Sequence, residues 1–184
     1  DLNDDATGGA VATILDGVEE GKLAWHDDKI VLLTRRPPLN SFDAFQNELT
    51  VIDLAQEPPA QTTIQNDGWV MPAAEPGWHS YVAISPDGQW IYFVDANVCG
   101  LANMDGATTD LSSLNHGCGM FAQWRSDPLA LASARPDPQS PSYTQRAYQL
   151  DPVTEDESIL FRAPAQYVHY SADGQWAVFA DPQL

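Results

Sequence analysis

The chain has 184 residues, 43% hydrophobic and 10% aromatic, with 14 prolines and 12 glycines; this is enough to bury one core and excludes a disordered chain. Its 26 acidic and 8 basic residues leave a net charge of -18, which repels nucleic acid and anionic lipid surfaces. No apolar run approaches the ~18 residues of a membrane helix, so neither nucleic-acid binding nor membrane insertion is expected.

Residues 1–15, DLNDDATGGAVATIL, read as the end of a third strand followed by a fourth strand. Four later segments share one pattern: an apolar run, a short polar turn and a second apolar run. They are KLAWHDDKIVLLTR (22–35), YVAISPDGQWIYFVD (81–95), MFAQWRSDPLALASAR (120–135) and YVHYSADGQWAVFAD (167–181). Runs of five to seven residues rich in Val, Ile, Tyr, Phe and Trp predict strands, and two such runs around a turn predict an antiparallel hairpin. Third strands are expected at LTVIDL (49–54), LANMDG (101–106) and AYQLDP (147–152). Fourth strands are expected at QTTIQ (61–65), TDLSSL (109–114) and ESILF (157–161). No amphipathic helix is predicted.

The unit is thus four short strands, and the last three turns begin at Ser85, Ser126 and Ser171, steps of 41 and 45 residues. That period predicts β-propeller blades. The fold class expected is all-β: a propeller of four-stranded antiparallel blades, about four in this chain. The units are approximately 22–66, 77–115, 117–161 and 165–184, the last completed by 1–15. Pairing of residues 10–15 with 176–180 would close a ring; without it, the chain is expected to be part of a larger propeller or assembly. The start at Asp1 fits a mature or trimmed product, or a piece of a longer chain.

Two turns are near-copies, Ser85-Pro86-Asp87-Gly88-Gln89-Trp90 and Ser171-Ala172-Asp173-Gly174-Gln175-Trp176. Proline presets φ, aspartate bonds back to nearby backbone, and glycine takes φ > 0. Together with the flanking apolar strands, the pattern resembles the TolB-type, WD-repeat-like β-propeller repeat, over nearly the whole chain. The copies at 25–34 and 124–134 are worn. The resemblance implies a structural turn between the first two strands of a blade. Asp87, Gly88, Asp173 and Gly174 would set backbone geometry, and Trp90 and Trp176 would pack at the blade edge. The sialidase aspartate box needs a residue between Asp and Gly; here they are adjacent, so that reading fails.

Two insertions, 35–48 and 67–79, break the period, and 135–146 is another long connection; loops of this kind carry binding. The candidate ligand-binding residues are Trp69, Trp78 and Tyr143, whose rings can stack on a sugar or anchor a peptide or else pack the insertions onto the blades, and His79 and His116, just before first strands, where a propeller chain approaches its central channel. His79 and His116 sit at different offsets from their turns, so no metal ring is indicated. The acidic stretches 1–5 and 95–106 lack the EF-hand spacing; calcium in a loose loop site is the only cofactor considered. Cys99 and Cys118 are read as a disulfide tying neighbouring blades, or as two buried thiols. No G-x-S-x-G elbow and no phosphate-binding glycine loop is present, and no catalytic residue is assigned.

The function expected is a non-catalytic binding or scaffold module, extracellular or periplasmic, with a protein partner or a small polar ligand. The rivals are the propeller domain of a hydrolase or lyase acting on sugar or peptide, and a structural subunit of an exported assembly.

Overall fold

The computed structural model describes residues 20–36, 45–64, 70–71, 81–95, 98–104, 106, 108–110, 122–126, 128–136, 145–164, 167–171 and 175–180. These residues are all-β and fold into four antiparallel sheets.

The first sheet runs β1 (Glu20–His26), β2 (Lys29–Arg36), β3 (Phe45–Asp53), β4 (Ala60–Ile64), with β5 (Val70–Met71) paired to the start of β3. The second runs β6 (Tyr81–Ile84), β7 (Trp90–Asp95), β8 (Val98–Asn103), β9 (Thr108–Asp110). The third runs β10 (Gln123–Ser126), β11 (Leu129–Pro136), β12 (Gln145–Leu150), β13 (Glu157–Pro164), and the fourth pairs β14 (Tyr167–Tyr170) with β15 (Ala177–Ala180).

Every strand expected on the described residues forms, with shifted bounds. Residues 45–48, expected in an insertion, instead extend β3, where Arg35 faces Asn47 and Arg36 faces Gln46. Cys99, expected just ahead of a third strand, lies inside β8 opposite Val94. β5 was not foreseen: two residues of the 67–79 insertion join the ladder. The β3 extension has a plain cause, since a long β2 leaves unpaired backbone groups that a longer β3 satisfies, and β5 in turn pairs with that extension at Phe45 and Gln46. Residues 10–15 lie outside the described residues, and the described strands form neither a closed barrel nor a closed propeller.

The sheets stack in chain order through their first strands. β6 lies against β1 and β2, β10 against β6, and β14 against β10 and β11. Period-two alternation explains how a central sheet serves two neighbours. On β7, Ile91 and Phe93 face one way and join Val31, Leu33 and Val51 of the first sheet. Tyr92 and Val94 face the other way and join Ala122, Trp124 and Leu131 of the third. All four β7 residues are buried, so β7 reads as a continuous apolar run. Full burial of one such side chain stabilises by roughly 1.5–3 kcal/mol, so the two seams supply most of the cohesion between sheets. Among the described side chains the third seam is slighter: Ala132 and Ala147 with Leu160 and Tyr170.

Candidate functional site

The site grows out of the turns. In the second sheet Ser85, fully buried, is the hub of its loop. Its amide donates to the Trp90 carbonyl at 2.8 Å, and its Oγ accepts the Trp90 amide at 2.9 Å. The same hydroxyl donates to Asp87 Oδ1, which also accepts the Gln89 amide at 3.1 Å. Gly88 sits at φ 69°, a left-handed conformation that glycine adopts at low cost. Trp90 packs, half-buried, against the seam with the third sheet. The fourth sheet repeats the hub: Trp176 N–H donates to Ser171 Oγ at 3.0 Å, and Ser171 N–H to the Trp176 carbonyl at 2.9 Å. Asp173 and Gly174 lie outside the described residues. Trp176 differs from Trp90, being 73% exposed.

In the first sheet the equivalent turn is tighter. Asp27 and Asp28 alone link His26 to Lys29, with Asp27 at φ 49°. The two turns meet: the His26 Nε2–H donates to the Pro86 carbonyl at 3.0 Å, and the imidazole lies over Gly88. A Cβ on Gly88 would stand 3.0 Å from His26 Nδ1 and 3.1 Å from Cε1. Sequence reading gave His26 no role; the signal available was the glycine, which allows a ring this close.

Between these turns and the end of β3 opens a cleft of about 250 Å³. Its wall carries four carboxylates, Asp27, Asp28, Asp53 and Asp87, against the single ammonium of Lys29 and the imidazole of His26. Lys29 Nζ stands 3.4 Å from Asp53 Oδ2, a part-exposed pair that water and salt screen. Asp53 also accepts the Ala55 amide at 3.0 Å and the Gln56 side-chain amide at 3.2 Å. The Ala55 amide is the main reason its carboxyl is held below the usual carboxylate range; the Gln56 amide adds to it, burial opposes it, and Lys29 adds less. Asp53 and Asp87 are thus engaged by their own turns. Asp27 and Asp28 are exposed at the rim, where they project negative charge into the opening.

The candidate ligand-binding residues Trp69, Trp78, His79, His116 and Tyr143 lie outside the described residues, as do Cys118 and the 1–5 stretch considered for calcium. Among the described residues no group of three or more His, Cys, Asp or Glu is placed to hold a metal ion. No helix among them is long and apolar enough to cross a membrane. Cys99 is fully buried, and no free cysteine occurs among the described residues.

No family model, no curated protein and no solved structure matches this chain.

Proposed function

We propose that the chain is a non-catalytic binding or scaffold module built from TolB-type propeller blades, working outside the cytoplasm, and that it binds a cationic group of a protein or small polar ligand. The open acidic cleft between the first two sheets carries this reading. Its inner carboxylates are consumed by turn geometry, and its outer ones, Asp27 and Asp28, are exposed, Asp27 with the His26 imidazole at 3.4 Å. A pre-formed negative mouth suits electrostatic capture of an ammonium or guanidinium. General acid–base work needs a proton-transfer group free to act on substrate. Here Asp53, Asp87, Lys29 and His26 each already hold a partner within the fold.

The test is calorimetric titration with a tetra-arginine peptide, using tetra-glutamate as control, at 20 and 300 mM NaCl. Binding of the cationic peptide alone, weakened by salt and by Asp27→Asn with Asp28→Asn about fivefold or more, is the expected result. Equal binding of both peptides, or none at low salt, overturns the reading.

An oxidising location goes with a Cys99–Cys118 disulfide, the only intrachain pair that two cysteines permit. Thiol titration in denaturant without reductant is expected to find no free thiol. Two free thiols would count against both the bridge and the compartment.

A further inference from the structure

His26 ends β1 opposite Lys29 at the start of β2, and its ring touches both turns of the cleft. Its Nε2–H donates to the Pro86 carbonyl at 3.0 Å. A carbonyl only accepts, so in the neutral ring Nδ1 carries the lone pair. That lone pair meets a second acceptor, since Asp27 Oδ2 lies 3.4 Å from Nδ1. Two acceptors do not bond. One added proton makes both ring nitrogens donors, and His26 then ties the β6–β7 turn through Nε2 and its own turn through Nδ1. Gly88 makes room for the ring, because a Cβ there would stand 3.0 Å from Nδ1. The Asp27 side chain is 87% exposed and that of His26 29%. The carboxylate therefore has space to swing onto a ring that Pro86 holds in place.

The charged groups around the imidazole come from three turns. Asp27, Asp28 and Lys29 share its own hairpin, Asp53 ends β3, and Asp87 stands in the β6–β7 turn. Four carboxylates against one ammonium leave the cleft a net charge of -3 while the ring is neutral, and -2 once it is protonated. Asp53 is engaged by Lys29 at 3.4 Å, and Asp87 by Ser85 and the Gln89 amide. The two rim carboxylates are left to meet a cation, and a protonated His26 withdraws one of them. Histidine is the side chain whose ordinary charge change falls between pH 5 and 8.

We propose that His26 is a proton switch on the cleft: the neutral ring leaves the rim competent to hold a cation, and protonation draws Asp27 onto Nδ1 and releases that cation. This inference rests on the cation-binding reading of the cleft. Binding and protonation oppose each other, so a cation entering the cleft within the histidine range drives a proton off the ring.

Calorimetric titration with N-acetylated tetra-arginine amide, in 20 mM NaCl at pH 8.0 and 5.8, tests this on the intact chain. The peptide keeps its charge across that range, and ordinary carboxylates stay ionised. The dissociation constant is expected to rise about threefold or more between pH 8.0 and 5.8. His26→Gln keeps an N–H for the Pro86 carbonyl and takes up no proton, so its ratio of the two constants should fall close to one. Asp27→Asn leaves the ring and removes its acidic partner, so it should reduce the ratio as well. At pH 6.5, heats compared in phosphate and MOPS buffers should show proton release by the unaltered chain and none by His26→Gln. Circular dichroism checks that both variants keep their strands. No binding at pH 8.0 overturns the cation-binding reading, and the switch with it. Binding that is equal at both pH values, or a ratio that His26→Gln or Asp27→Asn leaves unchanged, overturns the switch alone.

Discussion

The Tyr81 hydroxyl donates to the Ala122 carbonyl at 2.7 Å, across 41 residues. The Trp124 indole N–H returns a bond to the Ala83 carbonyl at 3.3 Å, again across 41 residues. One repeat step therefore carries two reciprocal polar ties, set inside the apolar seam of Tyr92, Leu101 and Leu131. A neutral hydrogen bond contributes about 1 kcal/mol net, whereas truncating a buried tryptophan costs about 3–5 kcal/mol. Trp124→Ala is thus predicted to lower the unfolding free energy several times more than Tyr81→Phe. Urea unfolding of both variants measures the ratio, and equal losses would show that the polar ties dominate the seam.

Alkaline pH is predicted to loosen both later seams. Burial pushes the Tyr81 hydroxyl above the ordinary tyrosine value. It does the same at Tyr170, where the nearby Arg125 guanidinium pulls partly the other way. A raised pKa means that the fold favours the protonated phenol. That stability is fully present below about pH 10, the unfolded value, and is lost as pH rises through the raised folded value. Thermal melts between pH 8 and 12 should fall steeply at the alkaline end, and Tyr81→Phe with Tyr170→Phe should flatten the fall. An unchanged slope in the double variant would assign the loss to other groups.

A side chain at Gly88 should cost more while His26 is present. Alanine there meets both a left-handed φ of 69° and the imidazole at 3.0–3.1 Å. The conformational part costs about 1–2 kcal/mol, and the clash adds to it by pushing His26 off the Pro86 carbonyl. In a His26→Ala background only the conformational part remains, so Gly88→Ala should cost less there. A double-mutant cycle by urea unfolding measures the difference. Strict additivity would mean that ring and glycine do not interact.

The hairpins were legible because strand chemistry and turn chemistry agree at 22–35 and 81–95. Period-two alternation also anticipates the two-faced burial of β7. What escaped was the pairing of distant turns. The His26–Gly88 contact depends on how β1 lies against β6, which no local pattern encodes. The similar endings LTVIDL and AYQLDP signalled repeated strands; their aspartates do more. Asp53 accepts the Ala55 amide, and Asp151 accepts the amides of Val153 and Thr154 at 2.8 and 3.1 Å. Each shapes the turn into the fourth strand by the side-chain-to-backbone bonding usual for aspartate. The cleft escaped for the same reason as the His26 contact, since its carboxylates come from three separate turns.

The slightest seam predicts the most sensitive polar residue. Among the described side chains, Ala132 and Ala147, with Leu160 and Tyr170, join the third and fourth sheets by apolar contact. Gln123 makes up the deficit. Its Oε1 accepts the Tyr170 amide at 2.7 Å and its Nε2–H donates to the Tyr170 carbonyl at 3.4 Å, so the side-chain amide pairs with β14 backbone as a strand would. Tyr170 then donates from its hydroxyl to Gln149 Oε1 at 3.0 Å, and its ring lies 5.8 Å from the Arg125 guanidinium carbon. Removing the amide leaves the Tyr170 backbone groups part-buried without that partner, a cost of about 1–3 kcal/mol. Gln123→Ala should therefore release the fourth sheet before the others unfold. Hydrogen exchange would show it as faster exchange at 168–170 and 177–180, with 91–94 unchanged. Gln123→Glu, which keeps the acceptor and loses the donor, should fall between the two. Uniform acceleration across all four sheets would mean instead that Gln123 contributes to one global unfolding unit.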